Sequence, residues 1–275
     1  MSQEKKLTVE ALFENESLRP TPPRYFKVSP DGSCVTFLRP GLKQNKKLSI
    51  WRFDRKTKKA AEWICADLPQ SPNQPKSPAE KAEHERKRQF TEGINHYYWH
   101  PSKKQLLIPL DGQIYLVDVN KINEPTWTLL SKEKSRVSGV QLSPLGNLIS
   151  FVEKGNLFIK SLGSRVQTPI TNDIDPLITN GLPDFLAAEE MHRFEGHWWS
   201  HDEKYIAFCR VNESPVEESY RLEVEAKTST QLAQRYPYAG GPNPVTELFL
   251  YDVASNEASL IWSSADTDRY LAKIN

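Results

Sequence analysis

Val140-Gln141-Leu142-Ser143-Pro144-Leu145-Gly146-Asn147-Leu148-Ile149-Ser150-Phe151-Val152 is the stretch that decides the fold. An apolar run enters a turn carried by proline and glycine and leaves it as a second apolar run. Proline presets φ in such a turn, and glycine accepts positive φ. A third run, Asn156-Leu157-Phe158-Ile159-Lys160, follows. Short apolar runs bounded by turn residues read as consecutive strands of an antiparallel sheet.

The unit recurs on both sides. Upstream, Tyr25-Phe26-Lys27-Val28 enters Ser29-Pro30-Asp31-Gly32, then Val35-Thr36-Phe37-Leu38 and Leu48-Ser49-Ile50-Trp51-Arg52-Phe53-Asp54. Tyr97-Tyr98-Trp99-His100-Pro101 leads to Leu106-Leu107-Ile108-Pro109 and Gln113-Ile114-Tyr115-Leu116-Val117-Asp118. Downstream, His197-Trp198-Trp199-Ser200-His201-Asp202 leads to Tyr205-Ile206-Ala207-Phe208-Cys209, and Glu247 to Val253 leads to Ser259-Leu260-Ile261-Trp262. Pro101 and Pro144 are 43 residues apart, the length of one propeller blade of about 40–50 residues. Pro30 to Pro101 is 71 residues and Pro144 to His201 is 57, so each interval carries an insertion. The sequence predicts an all-β chain, a partial β-propeller of about four blades over residues 23–275. A β-sandwich with irregular turns is the alternative, and the repeated order of aromatic, turn and two strands favours the propeller.

The insertions are distinct. In residues 66–92, Ser77-Pro78-Ala79-Glu80 fits a capping box with proline at the first helical position. Lys81 to Phe90 continues it, Glu83 and Lys87 stand at i,i+4, and Gly93 is placed to end it. This predicts a helix near 77–92. A second insertion, Asp173 to Glu195, carries a short helix near 183–195. A third polar stretch, Glu213 to Gly241, reads as loop. Residues 1–22 are a polar N-terminal segment.

Composition excludes several classes. The chain has 275 residues and a formal net charge of +1. Its Lys and Arg are scattered, which argues against nucleic-acid or membrane-surface partners. Cys34, Cys65 and Cys209 form neither a CxxC pair nor a ligand cluster. They read as reduced thiols in strands, which points to a reducing compartment. No signal-peptide core and no run of 18 apolar residues occurs. The expected location is cytoplasmic, or periplasmic where a leader has been removed. There is no GxSxG, HExxH, P-loop or GxGxxG motif, so no catalytic residue is assigned.

One stretch carries candidate chemistry: Pro183-Asp184-Phe185-Leu186-Ala187-Ala188-Glu189-Glu190-Met191. Adjacent glutamates usually lie on a solvated helix face. Phe185, Leu186 and Met191 make this chain partly buried, where a carboxylate pair attracts a cation strongly. Glu189, His192, Glu195 and His197 crowd together in sequence, and carboxylate-plus-histidine sets bind zinc. Gly196, read as the helix end, separates His197 from the rest, so no metal is assigned, and His197 reads as packing at a strand start. Arg88 reads as an exposed helical arginine near Glu83 and Glu85, late enough in its helix to lean toward the same cavity.

The run Leu177 to Met191 resembles the double-glutamate segment of dipeptidyl peptidase IV-type serine exopeptidases. His197-Trp198-Trp199-Ser200-His201-Asp202 and Arg235-Tyr236-Pro237-Tyr238-Ala239-Gly240-Gly241-Pro242-Asn243-Pro244 are similar to further motifs of that family. Glu80 to Arg88 resembles the arginine-bearing helix of its bacterial and cytosolic branches. The motifs occur in the family's order across about residues 75–262. The resemblance implies an eight-bladed propeller of which this chain supplies the first part, capping an α/β-hydrolase domain further along the same chain. Residues 1–22 would pack on that domain. It implies that Glu189 and Glu190 bind the ammonium of a peptide with a free N-terminus, and that Arg88, or less favourably Arg86, contacts a neighbouring carbonyl. No cofactor is implied. Xaa-Pro or Xaa-Ala dipeptides would be released by the whole enzyme, and the segment alone would be inactive. Ala187-Ala188 departs from relatives that carry a tyrosine and a third acid there, which could change the wall around the pair. Open propeller edges predict that this form is fragile, forms a homodimer or is continued by further chain. An acylaminoacyl or prolyl oligopeptidase relative, and a non-enzymatic interaction propeller, remain the alternatives.

Overall fold

A computed structural model describes residues 8–9, 22–42, 47–66, 91–133, 135–224, 227–265 and 269–274. Its strands form four successive antiparallel meanders. The first joins β1 (Arg24–Val28), β2 (Cys34–Pro40), β3 (Lys47–Asp54) and β4 (Lys59–Ile64). A two-residue strand, β5 (Glu92–Gly93), pairs with β3 in parallel. The second joins β6 (Tyr98–Trp99), β7 (Gln105–Leu110), β8 (Gln113–Asp118) and β9 (Thr126–Leu129). The third joins β10 (Val137–Leu142), β11 (Leu148–Glu153), β12 (Asn156–Ser161) and β13 (Gln167–Pro169). The fourth runs β14 (Ile178–Asn180), β16 (Tyr205–Asn212), β19 (Val245–Asp252) and β20 (Glu257–Ser263). Here β15 (His197–Trp199) also pairs with β16, so the first strand position of this blade is split in two.

The blades stack through their faces. Strand residues alternate between two sides, and in β7 Leu106 and Ile108 face the first blade while Leu107 faces the third. Leu38, Ile50, Tyr97, Leu106, Ile108 and Val117 fill the space between the first two blades. Leu107, Ile114, Val140, Ile149 and Phe151 fill the next. Val152, Leu157, Ile159, Ile206, Phe208 and Tyr251 fill the third. Central strands are thus buried on both faces, which is why they read as nearly continuous apolar runs. Each such side chain contributes about 1.5–3 kcal/mol relative to exposure.

A polar device reinforces alternate junctions. Thr36 Oγ1 on β2 accepts from Trp99 Nε1 and from the Tyr97 hydroxyl of the next blade, both at 2.9 Å. Ser150 Oγ on β11 accepts from Trp199 Nε1 at 2.8 Å and lies 2.9 Å from His197 Nε2. Tyr97-x-Trp99 and His197-x-Trp199 are the same element one pair of blades apart. The entry turns repeat as well. Ser29, Ser143 and Ser200 each accept from the backbone N–H five residues ahead, at Cys34, Leu148 and Tyr205.

The structure corrects several expectations. Cys34 and Cys209 stand on strands, but Cys65 lies just beyond β4 and is exposed. Gly93 lies in a strand. It sits in β5 at φ +88, where a Cβ would meet Leu48 O at 2.5 Å. The polar stretch from Glu213 holds a two-stranded hairpin, β17 (Glu218–Val224) and β18 (Ser229–Arg235), between β16 and β19. The alternation of Tyr220, Leu222 and Val224 was the available signal, diluted by charges between them. The helix expected near 77–92 falls, up to residue 90 and with Arg86 and Arg88, outside the described residues, and its last expected residue, Glu92, stands in β5; most of the segment 1–22 is also outside the described residues.

Candidate functional site

The insertion carrying the glutamate pair leaves and re-enters the fourth blade at one residue. Gly181 N–H donates to Cys209 O, and Cys209 N–H donates to Gly196 O, both at 2.8 Å. On either side, Asn180 pairs with Arg210 and His197 with Phe208. Residues 181–196 are therefore an excursion pinched at its base, of the compact kind whose ends lie together. Gly181 has φ +78, a conformation glycine adopts without strain.

His197 fixes this base from below. It is fully buried, and burial pushes its imidazole pKa down to about 4, so the ring is neutral. Gly181 O can only accept, so Nδ1–H donates to it at 2.9 Å. Nε2 then accepts from Ser150, whose oxygen in turn accepts from Trp199. The third blade thus holds the stem of the insertion through Ser150. His197 packs at a strand start, as its tryptophan neighbours indicate. Glu189 and Glu195 are exposed while His197 is enclosed, so these residues do not converge.

Within the excursion, α1 spans Phe185–Glu189. Five residues are too few to hold a helix alone, and three features hold this one. Asp184 caps it, its Oδ1 accepting from Ala187 N–H at 2.9 Å. Ala187 and Ala188 are turned inward, 1% and 4% exposed. Tyr236 packs edge-on against Phe185 with centroids 5.1 Å apart, and Tyr238 extends the contact at 4.9 Å. The tyrosines belong to the motif Arg235 to Pro244, so two stretches far apart in sequence meet here. The Ala187-Ala188 departure falls on the underside of α1 and not around the carboxylates.

The helix ends at the glutamates, seven residues before Gly196, which was expected to end it. Glu190 N–H still reaches Leu186 O at 2.9 Å, and His192 then takes φ +54. Glu189 and Glu190 are both exposed; the partial burial expected locally is confined to their neighbours. Consecutive helical residues diverge by about 100°. Glu189 follows Phe185 on the aromatic side, and Glu190 follows Leu186. Leu186, Asp184, Met191, Asn243, Tyr270 and Leu271 line a cleft of about 390 Å³ on that second side. Two adjacent carboxylates thus stand exposed at the end of a short, braced helix.

Sequence reasoning missed Arg193. It is 7% exposed and reaches Asp184 Oδ2 at 3.3 Å, Glu195 O at 2.7 Å and Leu271 O at 3.0 Å. Its guanidinium also lies 5.7 Å from the Trp198 ring centroid. An arginine three residues past an exposed pair gives no sign in sequence of folding inward.

Four successive antiparallel blades, the fourth interrupted by the excursion that carries the acidic pair, define a partial β-propeller. The model of the dipeptidyl peptidase IV (DPP IV) N-terminal region matches residues 95–275, and the chain belongs to that family. A probable dipeptidyl-aminopeptidase B of Talaromyces stipitatus is 34% identical over 157 residues, covering 51% of this chain and 17% of that protein. Its counterpart in Podospora anserina is 36% identical over 157 residues, covering 50% and 17%. Porphyromonas gingivalis dipeptidyl peptidase 4 shares the fold with a TM-score of 0.65 at 23% identity, over 90% of this chain and 34% of that one. The chain therefore spans about 17% of the length of these curated relatives.

Proposed function

We propose that this chain is the substrate-recognition part of a serine dipeptidyl peptidase, and that Glu189 and Glu190 bind the N-terminal ammonium of the peptide. The observation that carries this is the exposed pair at the end of a helix held at both ends, on an excursion pinched to one residue of the fourth blade. An ammonium has three N–H donors, and two diverging carboxylates can accept from it on two sides. Charge-assisted bonds of this kind contribute about 1.5–3 kcal/mol each. Anchoring the first residue sets how far the chain reaches toward a nucleophile, so that the bond two residues in is aligned. Arg88, or Arg86, supplies the contact to a neighbouring carbonyl. Small residues, proline or alanine, precede the bond that is cut. The nucleophile belongs to an α/β-hydrolase domain outside these 275 residues, which alone are inactive.

The test uses the full-length protein that contains this chain and Ala-Pro or Gly-Pro chromogenic substrates. Glu189→Ala and Glu190→Ala each lower kcat/KM about 10- to 100-fold, the equivalent of one such bond. Substrates with an acetylated N-terminus are not cleaved by the parent. Normal kcat/KM in both variants, or equal cleavage of acetylated peptides, sinks the reading. Arg88→Ala raises KM and Arg86→Ala does not.

A further inference from the structure

We propose that Arg193 is a positioning residue for the Glu189–Glu190 pair, closing the excursion into a ring through Asp184. The inference rests on the function proposed above and extends it to a residue that touches no substrate.

The two oxygens of Asp184 have separate tasks. Oδ1 accepts from Ala187 N–H at 2.9 Å and starts the helix, while Oδ2 meets Arg193 Nη2 at 3.3 Å beyond its end. Both side chains are nearly enclosed, 11% and 6% exposed. The pair brackets residues 185–192, which include the helix and both glutamates. Arg193 N–H also donates to Ala187 O at 2.8 Å, so backbone and side chain close the ring together.

The other arms of Arg193 tie the ring to the body. Nη1 donates to Glu195 O at 2.7 Å and lies 3.8 Å from Cys209 Sγ on β16. Nε donates to Leu271 O at 3.0 Å, beyond the last strand of the blade. These contacts leave from three separate nitrogens of one plane, whereas a lysine's three N–H donors share a single atom, so lysine would keep the charge and lose most of the contacts. Two exposed carboxylates gain from being held before the cation arrives, because ordering them then costs the complex less. Enclosing an ion pair costs desolvation, and what this one accomplishes is to fix both ends of the segment that carries the glutamates.

The experiment is a double-mutant cycle on the full-length protein with an Ala-Pro substrate. Arg193→Lys raises KM about tenfold with kcat within about twofold, and Asp184→Asn, which keeps the capping oxygen, does the same. In a Glu190→Gln background Arg193→Lys adds little, because both changes act through one anchor. A wild-type KM in Arg193→Lys and Asp184→Asn while Glu190→Gln is impaired overturns this inference and leaves the function standing. An Arg193→Lys effect that adds in full to that of Glu190→Gln overturns it too, since a general structural role would add. A wild-type KM in both Glu189→Gln and Glu190→Gln removes the function itself. Should Arg193→Lys not fold, Asp184→Asn gives the same readings.

Discussion

Gly196 lies so close to Leu182 that a Cβ on it would stand 2.2 Å from the Leu182 carbonyl carbon and 2.4 Å from its Cα. These are the stems of the excursion, pressed backbone to backbone. The glutamate pair is presented from a neck that admits no side chain at this point, which makes it a fixed platform.

Gly196→Ala should therefore destabilise the fold by about 2 kcal/mol or more, because backbone atoms cannot step aside as a flexible side chain can. Gly163→Ala is the control. Nothing lies within 4 Å of its Cβ position, and its stability should stay within about 0.5 kcal/mol of the parent. Urea denaturation of both variants decides it. Equal midpoints would show that the neck gives way.

Thr36→Val tests the hydroxyl that joins the first two blades. The change conserves volume but removes the acceptor of the Trp99 indole N–H, while the Tyr97 hydroxyl keeps the Tyr25 carbonyl at 2.9 Å. A loss of about 1–3 kcal/mol is expected. Ser150→Ala should behave alike between the third and fourth blades. A thermal melt unmoved by either substitution would reduce these contacts to accidents of packing.

His197 makes stability depend on mild acid. Its folded pKa lies at about 4 against 6.5 in the unfolded chain, because burial disfavours the imidazolium. Between those values the unfolded chain binds a proton that the folded one does not, so stability falls as pH drops from 6.5 to 4. The full loss is on the order of 3 kcal/mol at about 1.4 kcal/mol per pKa unit. His100 shifts in the same direction, through burial first and Lys103 second. Unfolding free energies measured across this range should slope less in His197→Gln than in the parent, and parallel slopes would exclude the histidine as the cause.

Tyr236→Ala removes the aromatic contact between α1 and the distant tyrosine motif. Such pairs contribute about 0.5–1.5 kcal/mol beyond burial. Hydrogen exchange at the Ala187 and Ala188 amides should quicken while amides of β7 and β11 keep their protection. Uniform quickening throughout would mean that the contact supports the whole blade stack.

The blades were legible because central strands bury both faces. Leu106-Leu107-Ile108 and Leu148 to Val152 announce themselves as apolar runs, and proline and glycine mark the turns between them. Of the outer strands only Glu257–Ser263 was legible, through Leu260-Ile261-Trp262. Thr126–Leu129, Gln167–Pro169 and Lys59–Ile64 are largely solvent-facing, so packing leaves little periodicity in their residues. The hairpin Glu218–Arg235 was hidden for the same reason, with Tyr220, Leu222 and Val224 exposed among charges.

The sequence by itself determined the repeat, the number of blades and the place of the excursion. Those rest on local signals, turn chemistry and period-2 burial, and on a resemblance carried by contiguous motifs. Tertiary structure alone decided that the excursion pivots on Cys209, that Tyr236 packs on Phe185, and that Arg193 folds inward to Asp184. Each of these depends on which backbone groups and side chains a stack of sheets brings together. Long-range pairing of that kind leaves no period in the chain, because one contact between residues dozens of positions apart imposes a requirement at only two places.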